Sequence, residues 1–228
     1  MKRLLIYALL VLCLLSNCAV VSEFSNDNLP DDWTIFRGSP SLCGYTECDI
    51  SDAPQLLWSK TVQTRTVSSP IVYDGIVYTL DRKGKLRSFT ADGDSSLVYD
   101  FKTSVEASFM VHDSILYIGR IDGYVNALSI KKRRVVWDYE TLGQISGSPN
   151  LIMVNGKPNL LVGSYDSNMY VFDAATGAKK NQHETGYYIN GTAAVWRKYM
   201  VFGGCDTWLR IVDTTTGMFK TTELKSRT

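Results

Sequence analysis

The sequence predicts an all-β fold built from repeated four-stranded units, and three observations support this prediction. From about Trp33 onward, short runs rich in Val, Ile, Tyr and Phe alternate with Gly, Asp and Asn, a pattern typical of strands and turns. The stretch "VGSYDSNMYVFDAATG" at 162–177 returns in similar form as "FGGCDTWLRIVDTTTG" at 202–217. No helical period stands out beyond the N-terminal segment.

Four copies of one repeat follow each other along the chain. Each copy opens with small residues and an apolar hairpin, in the order "SSPIVYDGIVY", "ASFMVHDSILY", "GSPNLIMVNGKPNLL" and "GTAAVWRKYMV". The second strands of the copies end at Tyr78, Tyr117, Leu161 and Val201, which gives spacings of 39, 44 and 40 residues. The longest spacing comes from extra residues in "MVNGKPN", a hairpin loop where insertion costs little.

A third and a fourth strand complete each copy. The third strands contain "KLRSF", "YVNAL", "MYVFD" and "LRIVD", and a fourth strand is clearest in "RVVWDYE". The turns "DAATG" and "DTTTG" suit this position, because Asp can accept backbone hydrogen bonds and Gly tolerates positive φ. Four strands in about forty residues are typical of a propeller blade, which buries its two apolar faces only against neighbouring blades. The sequence therefore predicts a β-propeller with four antiparallel blades.

Three acidic residues recur at the same position of their copies, Asp122, Asp166 and Asp206. We expect each to cap its own hairpin turn through its carboxylate. The alternative is a ring of carboxylates on one rim that binds a cation or sugar hydroxyls.

The N-terminus predicts export. Residues 1–18 have the form of a signal peptide, with a positive start and a twelve-residue apolar run that is too short for an ordinary membrane span. The run ends in "LLSNC", which resembles the bacterial lipobox and implies lipid attachment at Cys18. Asn17 stands where the lipobox usually has Gly, Ala or Ser, so ordinary signal cleavage is the alternative. Residues 19–32 are polar and predict a tether, and residues 33–228 hold the propeller blades.

Export makes a disulfide possible between Cys43 and Cys48, which flank "GYTE". Two free thiols are the alternative, and zinc is disfavoured because no paired histidines lie near. Cys205 stands inside an apolar run, which predicts a small buried side chain.

The charge balance argues against a nucleic-acid partner. The chain has 24 Lys and Arg against 23 Asp and Glu, a net charge of +1, and so has no long-range field for polyanions. The one basic cluster, at 131–134, lies between two apolar runs and predicts a solvated hairpin tip.

Together these phrases resemble the PQQ-binding-like β-propeller repeat family, which includes the BamB-like lipoproteins. "SSPIVYDGIVY", "DGYVNALS", "FDAATG" and "VVWDYE" match parts of the family repeat, and "WTIFRGSPSLCGY" resembles its usual opening, over about residues 33–226. In this family the closing tryptophan of the repeat packs between blades, which implies that role for Trp58 and Trp137. Asn181 and Thr221 replace it in the last two copies, so weaker docking is expected there.

The resemblance implies a non-catalytic, protein-binding scaffold in the outer membrane or periplasm. Its partners would be envelope proteins, and its role would be BamB-like, in the assembly of outer-membrane β-barrels. A glycan- or small-ligand-binding propeller is the alternative. A fragment of a quinoprotein dehydrogenase is disfavoured because the chain lacks adjacent cysteines, so no catalytic residue, metal or cofactor is expected.

The blade count predicts an open ring. The family forms rings of seven or eight blades, whereas this chain has four copies. The last copy has its own outer strand at 218–225, which leaves the strand-like segment at 56–62 without three strands to join. We therefore expect an open arc with apolar faces exposed on the first and last blades, rather than a closed four-bladed ring.

Overall fold

The computed structural model describes residues 32–46, 52–62, 64–66 and 68–224, and these residues confirm the predicted fold class. They form strands joined by turns and links, and none of them belongs to a helix long and apolar enough for a membrane span. The signal peptide, most of the tether and Cys18 lie outside the described residues and stay predictions. Cys48 also lies outside them, so its disulfide with Cys43 stays a prediction too.

The strands form four sheets of four strands, each with strand order identical to chain order. Blade 1 contains β1 (Ile71–Tyr73), β2 (Ile76–Leu80), β3 (Lys85–Phe89) and β4 (Ser95–Asp100). Blade 2 contains β5 (Met110–His112), β6 (Ile115–Gly119), β7 (Tyr124–Ser129) and β8 (Arg134–Glu140). Blade 3 contains β9 (Asn150–Val154), β10 (Lys157–Gly163), β11 (Asn168–Asp173) and β12 (Lys179–Glu184). Blade 4 contains β13 (Ala194–Trp196), β14 (Tyr199–Gly203), β15 (Trp208–Asp213) and β16 (Phe219–Glu223).

The repeated Asp-x-x-Thr-Gly turns join the third and fourth strands as the sequence predicts. In blade 3, Asp173 Oδ1 accepts hydrogen bonds from the Thr176 amide at 3.1 Å and from its hydroxyl at 3.0 Å. Gly177 closes the turn with its amide bonded to the Asp173 carbonyl at 2.9 Å, and its φ of 73° favours glycine. The basic cluster at 131–134 lies at the exposed turn between β7 and β8, also as expected.

Three apolar cores lie between the four blades. Leu80 and Leu116 belong to the core between blades 1 and 2, Leu160 and Val125 to the next, and Leu161 and Met200 to the third. Within the described ranges no such core joins blade 4 to blade 1. The fourth strand of blade 4 is β16, which pairs with β15 in the register Leu209 to Thr222. The sheets therefore form an open arc, and the predicted open ring is confirmed.

Hydroxyl groups link each blade to the preceding one through a repeated hydrogen bond. The backbone amide at the start of one copy donates to the hydroxyl at the same position of the next copy. The pairs are Ser69 to Ser108 at 2.7 Å, Ser108 to Ser148 at 3.1 Å and Ser148 to Thr192 at 2.9 Å. The Ser and Thr of the small-residue phrases therefore connect the blades.

A segment that precedes blade 1 in the chain crosses the first strands of all four blades. Residues 33–40, named here the strap, hydrogen-bond in turn to blades 1, 2, 3 and 4. The bonds are Trp33 with Val72 at 2.9 and 3.0 Å, Val111 to Thr34 at 2.8 Å, the Asn150 side chain to Pro40 at 2.8 Å and Val195 to Pro40 at 2.8 Å. Ile35 is buried in the core between blades 2 and 3. The strap therefore covers the inner edge of the arc.

Candidate functional site

One rim of the arc carries the turns between second and third strands, together with the links from each blade to the next. This surface is named here the link rim. A repeated backbone bond joins its two parts: the Tyr165 amide in the turn of blade 3 donates to the Gln144 carbonyl of the preceding link at 2.9 Å. The same bond joins Cys205 of blade 4 to Tyr188 at 3.0 Å. Turns and links are therefore held in fixed register.

Asp166 of blade 3 lies in this rim and connects two blades. Its Oδ1 accepts the Asn168 amide of its own turn at 3.1 Å, and its Oδ2 accepts the Leu142 amide of the preceding link at 2.9 Å. The Tyr170 hydroxyl also donates to Oδ2, at 2.7 Å. Burial, followed by this hydrogen bond, raises the pKa of Tyr170 above its ordinary value.

Asp206 of blade 4 has the same kind of contacts as Asp166, but the Arg210 guanidinium takes the place of the Tyr170 hydroxyl. Its carboxylate accepts the Trp208 amide at 3.2 Å, the Gly186 amide of the preceding link at 2.7 Å and the Arg210 guanidinium at 3.0 Å. The hydrogen bonds from Arg210, followed by those from the two amides, lower the pKa of Asp206 to about 2, against the opposing effect of burial.

Asp122 of blade 2 differs from these two acids, because the side chain of Arg120 donates to its carboxylate, with Nε 2.9 Å from Oδ1. The carboxylates of Asp122, Asp166 and Asp206 are thus each tied within their own part of the rim. Across the described ranges, no three His, Cys, Asp or Glu side chains form a group that could hold a metal ion.

Three tyrosines and a cysteine cluster on the link rim between blades 3 and 4. The rings of Tyr165 and Tyr188 stack with centroids 4.6 Å apart, and Tyr187 lies 4.5 Å from Tyr188. Cys205 is hydrogen-bonded to Tyr188 and is exposed. The prediction of a buried Cys205 is wrong, because the apolar run ends with β14 and Cys205 lies in the turn after it. This cluster is named here the tyrosine patch.

The sequence analysis did not find the tyrosine patch, although the repeat contains a signal for it. Aligned copies place Tyr165 and Cys205 at the same turn position, which Ile121 occupies in blade 2. They also place Tyr188 where the preceding link has Gln144. The residue type at these two positions differs between copies, whereas the backbone hydrogen bond is the same in each copy. The fold therefore does not require these particular side chains.

Trp137 and Trp58 dock against blades in the same way. The Trp137 indole donates from Nε1 to the Ala174 carbonyl at 2.9 Å, and its ring lies over Gly177. The Trp58 indole donates to the Ala91 carbonyl at 2.7 Å and lies over Gly93. Trp58 therefore occupies, next to blade 1, the place that Trp137 occupies next to blade 3.

The interface between blades 3 and 4 lacks this tryptophan. Asn181 stands opposite Val171 just as Trp137 stands opposite Ala127, and it is exposed. No atom lies within 4 Å of the position that a Cβ on Gly217 would take, whereas a Cβ on Gly177 would lie 2.6 Å from Trp137. Blade 4 thus has the same glycine turn as blade 3, but no indole lies over its glycine as Trp137 lies over Gly177.

Comparisons with known proteins agree with this architecture. The family model described as "Outer membrane protein assembly factor BamB" matches residues 49–204. No curated protein sequence gives a significant match. Among solved structures, BamB from Moraxella catarrhalis has 22% identity and a TM-score of 0.63, with 73% of this chain and 52% of that chain covered.

Two further structures share the fold alone. Quinohemoprotein alcohol dehydrogenase from Comamonas testosteroni has 16% identity and a TM-score of 0.68, with coverage of 84% of this chain and 41% of that one. The RRP9 WD40 repeats have 12% identity and a TM-score of 0.59, with coverage of 72% and 52%. The chain thus spans about half the length of each of these three structures. Because the family model matches most of the chain, the protein belongs to the BamB-like family of PQQ-repeat β-propellers.

Proposed function

We propose that this protein is an exported, lipid-anchored propeller that acts as a non-catalytic scaffold for envelope proteins, with a BamB-like role in outer-membrane protein assembly. One observation carries the proposal: the strap covers the inner edge of all four blades. The inner edge lines the central channel of a propeller. With the inner edge covered by the strap, the link rim, with its exposed turns and links, is the proposed surface for recognition.

The ionisable groups of the blades support a non-catalytic role. The carboxylates of Asp166 and Asp206 accept backbone amides and so have structural partners. The chain has two histidines, and burial on β12 lowers the pKa of His183 below its ordinary value. His112 lies in blade 2, beside Asp113 at 3.5 Å. None of these groups is placed beside a nucleophile as an acid or base in catalysis would be.

The scaffold role is tested by photo-crosslinking in a bacterial envelope. A photoreactive amino acid replaces Leu142, which is 93% exposed on the link rim, or Thr215, which is exposed on the turn at the opposite rim. We expect discrete protein adducts from position 142 and few from position 215. The purified chain, incubated with pyrroloquinoline quinone and Ca²⁺, should show no dye-linked alcohol oxidation. Oxidation above the level of a heat-denatured sample would contradict the non-catalytic role.

The lipid anchor is tested separately at Cys18. Metabolic labelling with an alkyne-bearing fatty acid should mark the wild-type chain and should not mark Cys18→Ala. Equal labelling of the two chains would exclude attachment at this cysteine, and export with loss of the signal but without label would favour ordinary signal cleavage.

A further inference from the structure

The face of blade 4 that is turned away from blade 3 is apolar and uncovered. The strand registers place three of its residues where blade 3 has residues of the core shared with blade 4. The matched pairs are Ile152 with Trp196, Met169 with Leu209 and Val171 with Ile211. Ile152 is 0% exposed and Val171 is 7% exposed, whereas Trp196 is 58% and Ile211 is 37% exposed. This surface, named here the end face, is therefore built like a face that packs against a further blade.

The segment at 56–62 lies against blade 1 in the position of an outer strand. Trp58 lies over Gly93, and the Arg65 carbonyl accepts the Arg82 amide at 3.0 Å, the bond that every link makes with the next turn. Among the described residues, no strand pairs with this segment. The segment is thus the outer strand of a blade that would precede blade 1, without the three inner strands of that blade.

The series of hydroxyl bonds between blades is open at both ends, and its two open ends complement each other. Each amide in the series donates to the hydroxyl of the next blade, from Ser69 through to Thr192. Among the described residues, the Ser69 hydroxyl and the Thr192 amide have no hydrogen-bond partner. The acceptor left at the start of the arc is therefore the group that the donor left at its end would bind.

The curvature of the arc permits a second arc to meet both ends. Within the described ranges no core joins blade 4 to blade 1 of the same chain. The arc aligns with about half of the BamB chain from Moraxella catarrhalis, so it curves like half of a propeller of that size. Two identical arcs related by a twofold axis along the central channel would each place blade 4 against blade 1 of the other.

We propose that two copies of this chain close into one ring, in which the segment at 56–62 of each copy becomes the fourth strand of blade 4 of the other copy. The segment and β16 then compete for one place beside β15. The segment carries Trp58, which already docks on blade 1, whereas β16 has no tryptophan and all five of its residues are exposed. Backbone hydrogen bonds from the segment replace those of β16, so the exchange costs little. This inference does not depend on the scaffold function.

The register of blade 2 specifies one contact between the two copies. Trp137 lies opposite Ala127, and the position equivalent to Ala127 in blade 4 is Ile211. Trp58 of one copy should therefore lie opposite Ile211 of the other. The test places a photoreactive amino acid at position 211 of the full-length chain, in a bacterial envelope that contains two differently tagged copies. We expect an adduct that carries both tags, with the crosslink in residues 56–62 by mass spectrometry.

A crosslinker at position 142 is the matched control, because Leu142 is exposed on the link rim, away from the end face. It should give no adduct that carries both tags. An adduct with both tags at the same yield from the two positions would show random contact between copies and would overturn the ring.

A charge on the end face tests the same contact without a crosslinker. Trp196→Asp places a carboxylate on a surface that is exposed in one arc and buried in the ring, so recovery of the second tagged copy should fall at least about tenfold. Leu142→Asp, also at an exposed apolar residue, should leave recovery unchanged. Dilution separates the copies, so circular dichroism and urea unfolding of the dilute variants show whether a single arc still folds.

Three results would overturn the proposal. Recovery of the second copy by folded Trp196→Asp at the wild-type level would exclude the end face as the contact. Crosslinks from position 211 only to β16 of the same chain would exclude the strand exchange. Crosslinks from position 211 only to a different protein would show that another chain, and not a second copy, covers the end face.

Discussion

The interfaces of blade 3 with its two neighbours differ in one side chain. Toward blade 2, Trp137 fills the space over Gly177 and donates to the Ala174 carbonyl. Toward blade 4, Asn181 is exposed and the space over Gly217 is open. The strands, the turn motif and the positive φ of the glycine are the same on both sides. The comparison shows that the repeat specifies the blade, whereas a single residue per copy adjusts how firmly two blades pack.

The largest effect is expected from removal of the indole. Trp137→Ala should lower the free energy of unfolding by about 3 kcal/mol, because it deletes a large packed ring and leaves the Ala174 carbonyl without its donor. Urea unfolding measures the loss. Trp196→Ala, at a ring that is 58% exposed, is the matched control and should cost less than about 1 kcal/mol. Similar losses for both would show that the indole does not hold the blades together.

The two glycines give a smaller and better matched contrast. Both have a φ of 73°, so alanine at either position should cost about 1 kcal/mol in backbone strain. At Gly177 the new Cβ would also meet Trp137 at 2.6 Å, which should add about 1–3 kcal/mol. Thermal or urea unfolding of Gly177→Ala and Gly217→Ala compares them. In a Trp137→Ala background, Gly177→Ala should destabilise the protein no more than Gly217→Ala does. A larger destabilisation in that background would show that the added cost does not come from contact with Trp137.

The open interface should gain stability from a tryptophan. Asn181→Trp places an indole opposite Val171, within reach of Gly217 and of the Thr214 carbonyl, and should add about 1 kcal/mol. The same substitution at Thr221 is the control, since no further blade follows it among residues 68–224. If Thr221→Trp raises the free energy of unfolding as much as Asn181→Trp does, the gain comes from tryptophan in an outer strand and not from docking against a neighbouring blade.

A pH-dependent effect concerns the acid that joins the link of blade 3 to blade 4. The folded state lowers the pKa of Asp206 from 3.8 to about 2, so its contribution is present above about pH 4 and is lost as pH falls toward 2. Asp206→Asn should therefore show a shallower fall of unfolding free energy over this range than the wild type. If the unfolding free energies of Asp206→Asn and the wild type fall in parallel as the pH is lowered, Asp206 does not contribute to the loss of stability in acid.

The blades were predictable from the sequence because the residues that determine each blade lie close together in the chain, within one copy of the repeat. Alternating apolar residues and the Asp-x-x-Thr-Gly turn set the strands within one copy, and the closing tryptophan marked Trp58 and Trp137. Cys205 was misplaced because periodicity does not show where an apolar run leaves the sheet. The tyrosine patch brings together two turns and one link from different copies, and its tyrosines break the repeat instead of following it. The strap was also beyond prediction, because Pro40 and Asn150 are 110 residues apart.

The strap changes how the arc is expected to fold and unfold. In an array where each repeat touches only its neighbours, units can form or melt one after another. A segment bonded to every blade opposes this, because the loss of any one blade also releases part of the strap. The ribosome makes the strap before any of the blades, yet Val195, its last partner, is made only with blade 4. Hairpins should therefore form early and strap docking late, and that late step makes the four blades one cooperative unit.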